Sequence, residues 1–257
     1  MAEELLTERD GAVLRVFFNR PAQRNAMTWE MYDGLAAACA EANDDDTVKA
    51  MVLRGVGDDA FIAGTDISHF TEFQDGNDGI AYEARISEVV GALERVRVPT
   101  VAAVSGYCVG GGLALASVCD IRVATTNARF GVPIARTVGN CLSMNTYSLL
   151  VNHLGPARTL DMLLRARLFS AEEAHAAGFV AEVCTDDGLD ACAAEVTDRL
   201  AKHAPLTMWA AKEAVHRLRV AALPDGDDIV RLVFGSADFA HGVKSFLDKQ
   251  KPQWTGR

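Results

Sequence analysis

Two glycine-bearing segments carry the residue types needed for chemistry at a carbonyl. One is Phe61-Ile62-Ala63-Gly64-Thr65-Asp66-Ile67; the other is Gly106-Tyr107-Cys108-Val109-Gly110-Gly111-Gly112. Three consecutive glycines cost backbone entropy, so they belong where the chain needs positive φ or where a ligand must come close to the main chain. The run Leu113 to Asp120 that follows them is rich in small residues and reads as a helix. The first amides of a helix lack intrahelical acceptors, and its dipole favours negative charge at that end. A developing oxyanion is a suitable guest there, and each preorganised donor aimed at it contributes about 3–4 kcal/mol.

Proton-moving side chains are sparser. His69 lies just past the first segment and titrates in the range of a base near neutral pH. A half-exposed helix histidine explains it more simply, and Glu83 and Glu88 on the next predicted helix leave a displaced acid/base pair open. His153, His175, His203 and His216 fall on periodic helices and read as packing or surface residues. Rival readings of the glycine loops fare poorly. Gly55-Val56-Gly57-Asp58-Asp59-Ala60 fits G-x-G-x-x-A, yet no helix follows it and its two aspartates would repel a pyrophosphate. The P-loop pattern G-x4-G-K-[ST] does not occur.

These segments must be positioned by strands and helices. Ala12 to Phe18, Val48 to Arg54, Thr100 to Ser105, Ile121 to Ala124, Ala128 to Phe130 and Phe179 to Val183 read as strands. Helices are expected after the N-cap Thr28, over Ile80 to Val96, Ser143 to Val151 and Pro156 to Arg165, and after the Ser170 capping box with Glu173. Beyond Leu189 only helix is expected: Leu189 to His203, Pro205 to Arg219, and Asp227 to about Lys251 with a break near Gly242. Strands alternating with helices predict an α/β fold, and the helical tail predicts an annex that covers a site or makes a subunit contact.

Composition narrows the function classes. With 257 residues, 49% of them hydrophobic, the chain can bury one substantial core, and no apolar run is long enough to cross a bilayer. A formal net charge of −10 disfavours nucleic acid as a partner but leaves room for one anionic ligand held by local basic groups. The six cysteines lack the spacing of a zinc site or a disulfide frame. The acidic start MAEELLTERD does not read as a signal peptide, so a cytoplasmic location is expected.

FIAGTDI resembles the F-x-A-G-x-D-[IL] signature of the crotonase (enoyl-CoA hydratase/isomerase) superfamily, and GYCVGGGLALASVCD resembles its G-x-x-x-G-G-G-x-x-[IL]-x-x-x-C-D segment. NRPAQRNAMT is similar to the family's first CoA-contacting loop, LFSAEEAHAAGFVAEV to its post-core helix and strand, and DFAHGVKSFLDKQKPQWTGR to its C-terminal helices. The resemblance implies a crotonase spiral of repeated ββα units over residues 1–195, a C-terminal helical oligomerisation or lid region over 196–257, and assembly as a homotrimer or dimer of trimers. It implies an acyl-CoA substrate, with coenzyme A entering as part of that substrate and no separate cofactor or metal. It assigns the oxyanion-hole amides to Thr65 and Gly111. Substrate contacts fall on Arg24, Ala26, Ala63, Gly64, Asp66, Ile67, Gly110, Ala114, Pro133 and Ile134, with Asp66 as a loop brace and Phe246, Lys249 and Lys251 within reach of a neighbour's nucleotide. Ser68 stands where the family often has a lysine, which removes one adenine contact.

The pattern breaks where a hydratase needs it most. Family hydratases carry one glutamate two residues after the triple glycine and another after the proline of F-x-x-P; here those positions hold Ala114 and Ile134. Even a one-residue slip in the second segment yields only Ala135. Hydration across a double bond needs one group to take the water's proton and another to protonate the α-carbon, which neither residue can do. Isomerases that rely on the second glutamate are equally poorly supported, so the expectation is an acyl-CoA-binding enzyme of hydratase/isomerase type without ordinary hydration. Decarboxylation, thioester hydrolysis, dehalogenation and a non-catalytic acyl-CoA binder are the alternatives. Arg136 is a further candidate, for a substrate carboxylate or the CoA phosphates. Cys141 stands where aryl-CoA dehalogenases of the superfamily place an acid, but no histidine lies beside it in sequence to activate the thiol.

Overall fold

The computed structural model describes residues 3–257, and the strand–strand–helix repeat is its organising unit. β1 (Leu5–Asp10) and β2 (Val13–Phe18) form a hairpin that leads to α1 (Trp29–Asp44). Three turns of the repeat follow: β3 (Ala50–Gly55), β4 (Ala60–Ala63) and α2 (Gly76–Glu94); β5 (Thr100–Val104), β6 (Tyr107–Val109) and α3 (Gly111–Val118); β7 (Ile121–Thr125), β8 (Arg129–Gly131) and α4 (Met144–Leu164). β9 (Leu168–Ser170), α5 (Ala171–Ala176) and β10 (Glu182–Cys184) complete the sheets, and α6 (Leu189–Leu200), α7 (Pro205–Val220), α8 (Asp227–Phe234) and α9 (Ala237–Leu247) end the chain. In each turn the first strand joins a six-stranded sheet, β1-β2-β3-β5-β7-β10, and the second joins a four-stranded sheet, β4-β6-β8-β9. This is the ββα spiral expected of a crotonase fold.

The inner strands of the large sheet are buried on both faces, and their residues alternate accordingly. Leu14, Val16, Met51, Leu53, Ala102 and Val104 point into the main core. Val13, Val52, Val101, Ala103 and Val123 point the other way, against Leu189, Ala193 and Val196 of α6. α6 thus covers the sheet, and the expected division at residue 195 falls inside that helix. α8 packs on α2, and α9 packs on the single-turn 3-10 helix Ile67–Phe70 that follows the first glycine loop. An aromatic cluster secures this arrangement: Phe70 lies 5.0 Å from Tyr82, 5.6 Å from Phe239 and 6.2 Å from Phe234 between ring centroids.

Several boundaries differ from the sequence reading. β1 lies outside the strands expected from sequence, because its pattern is that of a charged edge strand with only Leu5 buried. α2 starts at Gly76 instead of Ile80: Asp75 and Asp78 form a capping box that turns Gly-Asn-Asp-Gly into a first turn. The last helical stretch breaks at Gly235 and Ser236, where Ser236 caps α9, and not at Gly242. Gly242 is there for close approach, since a Cβ on it would lie 2.1 Å from the Val138 carbonyl oxygen. The expected strand at Phe179 to Val183 forms later, as Glu182–Cys184, because Phe179 and Val180 bury in the main core. Gly155, at φ 75°, separates the two expected halves of α4.

One buried cation ties the repeats together. The Arg122 guanidinium, 6% exposed, donates to the carbonyls of Phe179 (2.5 Å), Cys119 (2.5 Å), Ala116 (3.1 Å) and Asp120 (3.3 Å), closing the C-terminal end of α3. Arg122→Met leaves buried acceptors without donors and is expected to destabilise the fold by about 3 kcal/mol. Urea unfolding checks this, and an unchanged midpoint would show that water replaces the guanidinium without cost.

Candidate active site

The site begins in the loop after β2. Arg24 and Asn25 both adopt left-handed backbone, at φ 51° and 57°. Asn25 is fully buried; its side-chain amide donates to the carbonyls of Ala60 (2.8 Å) and Val56 (3.1 Å), and its oxygen accepts from the Arg20 amide (2.9 Å). With the loop so fixed, Ala63 N–H donates to Arg24 C=O (3.0 Å), Met27 N–H to Gly64 C=O (2.9 Å) and Asp66 N–H to Met27 C=O (2.9 Å). The segment from Ala63 to Asp66 therefore hangs on a short ladder, with Gly64 at φ +96° making the bend.

Asp66 is a brace, as the resemblance implied. It accepts from the hydroxyl (2.8 Å) and amide (3.1 Å) of Ser68 and from the Arg20 guanidinium (3.2 Å). Partial burial alone would raise its carboxyl, but the Ser68 hydrogen bonds and Arg20 hold it below the ordinary aspartate value. A carboxylate engaged in this way orients its loop and is a poor proton acceptor.

The second loop leaves the neighbouring strand at the same level. β4 and β6 pair in parallel with Ala63 opposite Val109, so Gly64-Thr65 and Gly110-Gly111 emerge side by side. Gly110, at φ 56° and ψ −122°, turns the chain into α3, and its amide donates to Gly131 C=O (3.0 Å). Gly111 is the first residue of α3, so its N–H has no intrahelical acceptor. A Cβ on Gly111 would lie 2.9 Å from the Tyr32 hydroxyl and 3.1 Å from the Thr65 hydroxyl, so a side chain there would have to displace these two hydroxyls. Thr65 and Gly111 are thus brought together, as sequence reasoning expected.

Behind them lies a hydroxyl cluster that sequence reasoning missed. Tyr82 donates to Thr65 Oγ1 (2.9 Å), and Tyr32 shares a 2.8 Å hydrogen bond with the same oxygen. Tyr32 is fully buried and Tyr82 is 8% exposed; burial raises both phenols above their ordinary value, so both stay protonated. No local spacing marks these tyrosines, which lie 33 and 17 residues from Thr65. The one sequence signal was a hydroxyl residue at position 65, whose oxygen needs partners wherever it is shielded from water.

The remaining candidates line the surroundings. Ala63, Gly64, Ile67, Gly110, Pro133 and Ile134 are half-buried, and Ala114 is buried on α3. Arg24 is exposed with its guanidinium 5.3 Å from the Tyr107 ring centroid, and Ala26 lies beside it half-buried. Arg136 ends the 3-10 turn Pro133–Arg136, exposed to solvent. Cys141 is buried, and desolvation pushes its thiol up to about 12, the setting of an inert cysteine. His69 rests against Trp29 with ring centroids 4.9 Å apart, and partial burial lowers its pKa. A cleft of about 320 Å³ between the end of α1 and the α6–α7 turn shares no residue with this site.

Glu83 is the one buried carboxylic acid nearby. It lies next to Tyr82 on α2, is 8% exposed, and accepts from the Ser143 amide at 3.0 Å. Burial pushes its carboxyl up to about 7, against the opposing pull of Ser143.

Comparison with known proteins shows the family. A family model described as enoyl-CoA hydratase/isomerase matches residues 8–257. The chain belongs to that family. It is 34% identical over 259 aligned positions to "Probable enoyl-CoA hydratase echA8" of Mycobacterium tuberculosis, covering 99% of both chains. It is 30% identical to the 2,3-dehydroadipyl-CoA hydratase of Escherichia coli, again over 99% of both. A solved enoyl-CoA hydratase/carnithine racemase from Magnetospirillum magneticum superposes with a TM-score of 0.81 at 32% identity, covering 100% of this chain and 97% of that one. A methylmalonyl-CoA decarboxylase superposes at 0.90 with 22% identity over 99% of both, a likeness of fold. Among the described residues no helix is long and apolar enough to cross a membrane.

Glu83 makes stability depend on pH in a definite direction. A carboxyl whose folded pKa stands near 7, above its ordinary 4.5, binds its proton more tightly in the folded state. That contribution is complete below pH 4.5 and is lost as pH rises through 7, in total about 3 kcal/mol. Relative to Glu83→Gln, the wild type should therefore lose ground between pH 4.5 and 8 in urea unfolding. A constant difference across that range would mean that the carboxyl is not held in a desolvated position.

Proposed function

We propose that this enoyl-CoA hydratase/isomerase family member binds an acyl-CoA thioester and stabilises its oxyanion or enolate with the backbone amides of Thr65 and Gly111. The parallel register of Ala63 with Val109 supports this reading most strongly, because the two glycine loops leave their strands side by side. Negative charge that builds on a thioester oxygen between two fixed N–H groups needs no solvent reorganisation, and the dipole of α3 adds to the effect. Arg24, exposed beside Tyr107, supplies a cation for the anionic CoA moiety, which enters as part of the substrate and not as a resident cofactor.

Ala114 and Ile134 give this site no acid/base pair at the positions where the family's hydratases carry glutamate, so ordinary hydration of crotonyl-CoA is not the proposed reaction. The apolar surface they supply instead favours a second reading, decarboxylation, in which an oxyanion hole and a water-poor pocket suffice. We also propose that the chain assembles as a trimer or dimer of trimers. α7 has no buried residue and leaves Leu206, Val215 and Leu218 at 70%, 62% and 80% exposure, apolar surface of the kind a subunit contact covers.

Mass-spectrometric turnover of crotonyl-, 3-enoyl-, methylmalonyl-, aryl- and β-hydroxyacyl-CoA tests the reaction class, with Gly111→Pro as the control. Proline removes the Gly111 N–H, so turnover of whichever substrate is accepted should fall ~100-fold or more, with circular dichroism confirming that the variant folds. Turnover that survives Gly111→Pro contradicts the assignment of the hole. Rapid hydration of crotonyl-CoA by the wild type contradicts the inference from Ala114 and Ile134.

A further inference from the structure

The helix that supplies Tyr82 to the Thr65 hydroxyl also carries a buried carboxylic acid at the next position. Glu83 reaches from α2 to the Ser143 amide, at the end of the segment that begins with Pro133 and Ile134. This is the segment on which the family's hydratases place their second glutamate. Beyond the effect of burial, the Glu83 carboxyl adds to the upward push on Tyr32 and Tyr82, whose hydroxyls both bond Thr65 Oγ1, and on Cys141 and Tyr147. The Tyr32 hydroxyl in turn lies where a Cβ of Gly111 would be. Through Tyr82 and Glu83, α2 is therefore tied at adjacent positions to the first glycine loop and to the segment before α4.

Resting on the acyl-CoA reading above, we propose that Glu83 is the relocated acid/base of this enzyme and acts on the carbon next to the thioester carbonyl. Its carboxylate takes the α-proton; the C–H electron pair moves into the Cα–C bond, and the carbonyl π pair goes to the oxygen held by the Thr65 and Gly111 amides. With a saturated acyl chain the step reverses, and in heavy water it leaves deuterium on the α-carbon. With a 3-enoyl chain the protonated Glu83 returns its proton to C4, the enolate collapses, and the double bond moves from C3–C4 to C2–C3. Proton and electron pairs balance without an oxidant or an added water. One carboxyl suffices for this shift, whereas hydration needs a second group, so a 3-enoyl-CoA is the substrate class that matches the residues present.

The ionisable groups around Glu83 are Tyr32 from α1, Tyr82 from α2 itself, Cys141 from the segment before α4 and Tyr147 from α4. All four are raised by burial and stay neutral around pH 7. The pH dependence of proton transfer is therefore that of Glu83, with the rate rising as its carboxyl, held at about 7, loses its proton.

Three measurements on the full-length protein test this: calorimetric binding of butyryl-CoA, deuterium uptake by butyryl-CoA in heavy water, and isomerisation of 3-hexenoyl-CoA. The wild type should bind, exchange and isomerise. Glu83→Gln still accepts from Ser143 and should bind equally well, lose ~100-fold or more in both rates at unchanged KM, and lose the rise in rate near pH 7. Glu83→Asp should recover part of the rate. A Glu83 that only braced α4 would leave Glu83→Gln at the wild-type rate, which overturns the proposal. Binding without exchange or isomerisation in the wild type overturns it too and leaves the acyl-CoA reading standing. Absence of binding by any acyl-CoA tested overturns the acyl-CoA reading itself, and the role of Glu83 with it.

Discussion

Parallel pairing of β4 with β6 is the constraint on which the rest of the site depends. The two strands are short, four and three residues, yet their register places the bends at Gly64 and Gly110 side by side. Both bends use positive φ, which glycine adopts without strain. A slip of one residue in this ladder would separate the Thr65 and Gly111 amides by a strand repeat, roughly 3.3 Å, and no side chain could restore the pair. Chemistry that depends on main-chain donors is thus secured by secondary structure and remains when nearby side chains change.

Layers of support fix that register. The buried Asn25 side chain joins the first loop to the β3–β4 turn, and Arg20 with Asp66 closes the same loop from outside. Tyr32 and Tyr82 hold the Thr65 side chain from the core, and the Phe70, Phe234 and Phe239 rings press the C-terminal helices onto the turn that follows it. Trp254 then folds back against Gly139 and Gly242, and the Thr255 and Gly256 amides anchor the tail by donating to the Asp238 carboxylate. α8, α9 and the tail therefore pack on α2 and on the turn after the first glycine loop within a single chain.

The glycine loops were legible in the sequence because glycine marks a backbone need directly, and the spiral was legible because strand and helix periods alternate regularly. Asp66 was legible as a brace through the family resemblance, and the structure gives it that role through Ser68 and Arg20. What local patterns missed are pairings between distant residues. The Tyr32 and Tyr82 hydroxyls meet on Thr65 only after α1 and α2 pack together, and Glu83 meets Ser143 across 60 residues of chain. The capping box at Asp75 and Asp78 was hidden by two flanking glycines that resemble a turn. Gly242 resembled a helix breaker because the close approach of Val138 that requires it is tertiary.

Infrared difference spectroscopy of a bound acyl-CoA carrying carbon-13 at the thioester carbonyl tests the central claim most directly, because it reads polarisation of that bond without requiring turnover. Two amides aimed at the oxygen should move the carbonyl stretch to lower frequency in the wild type, and Gly111→Pro should remove most of that displacement. A bound thioester whose carbonyl absorbs as it does in water would contradict the account.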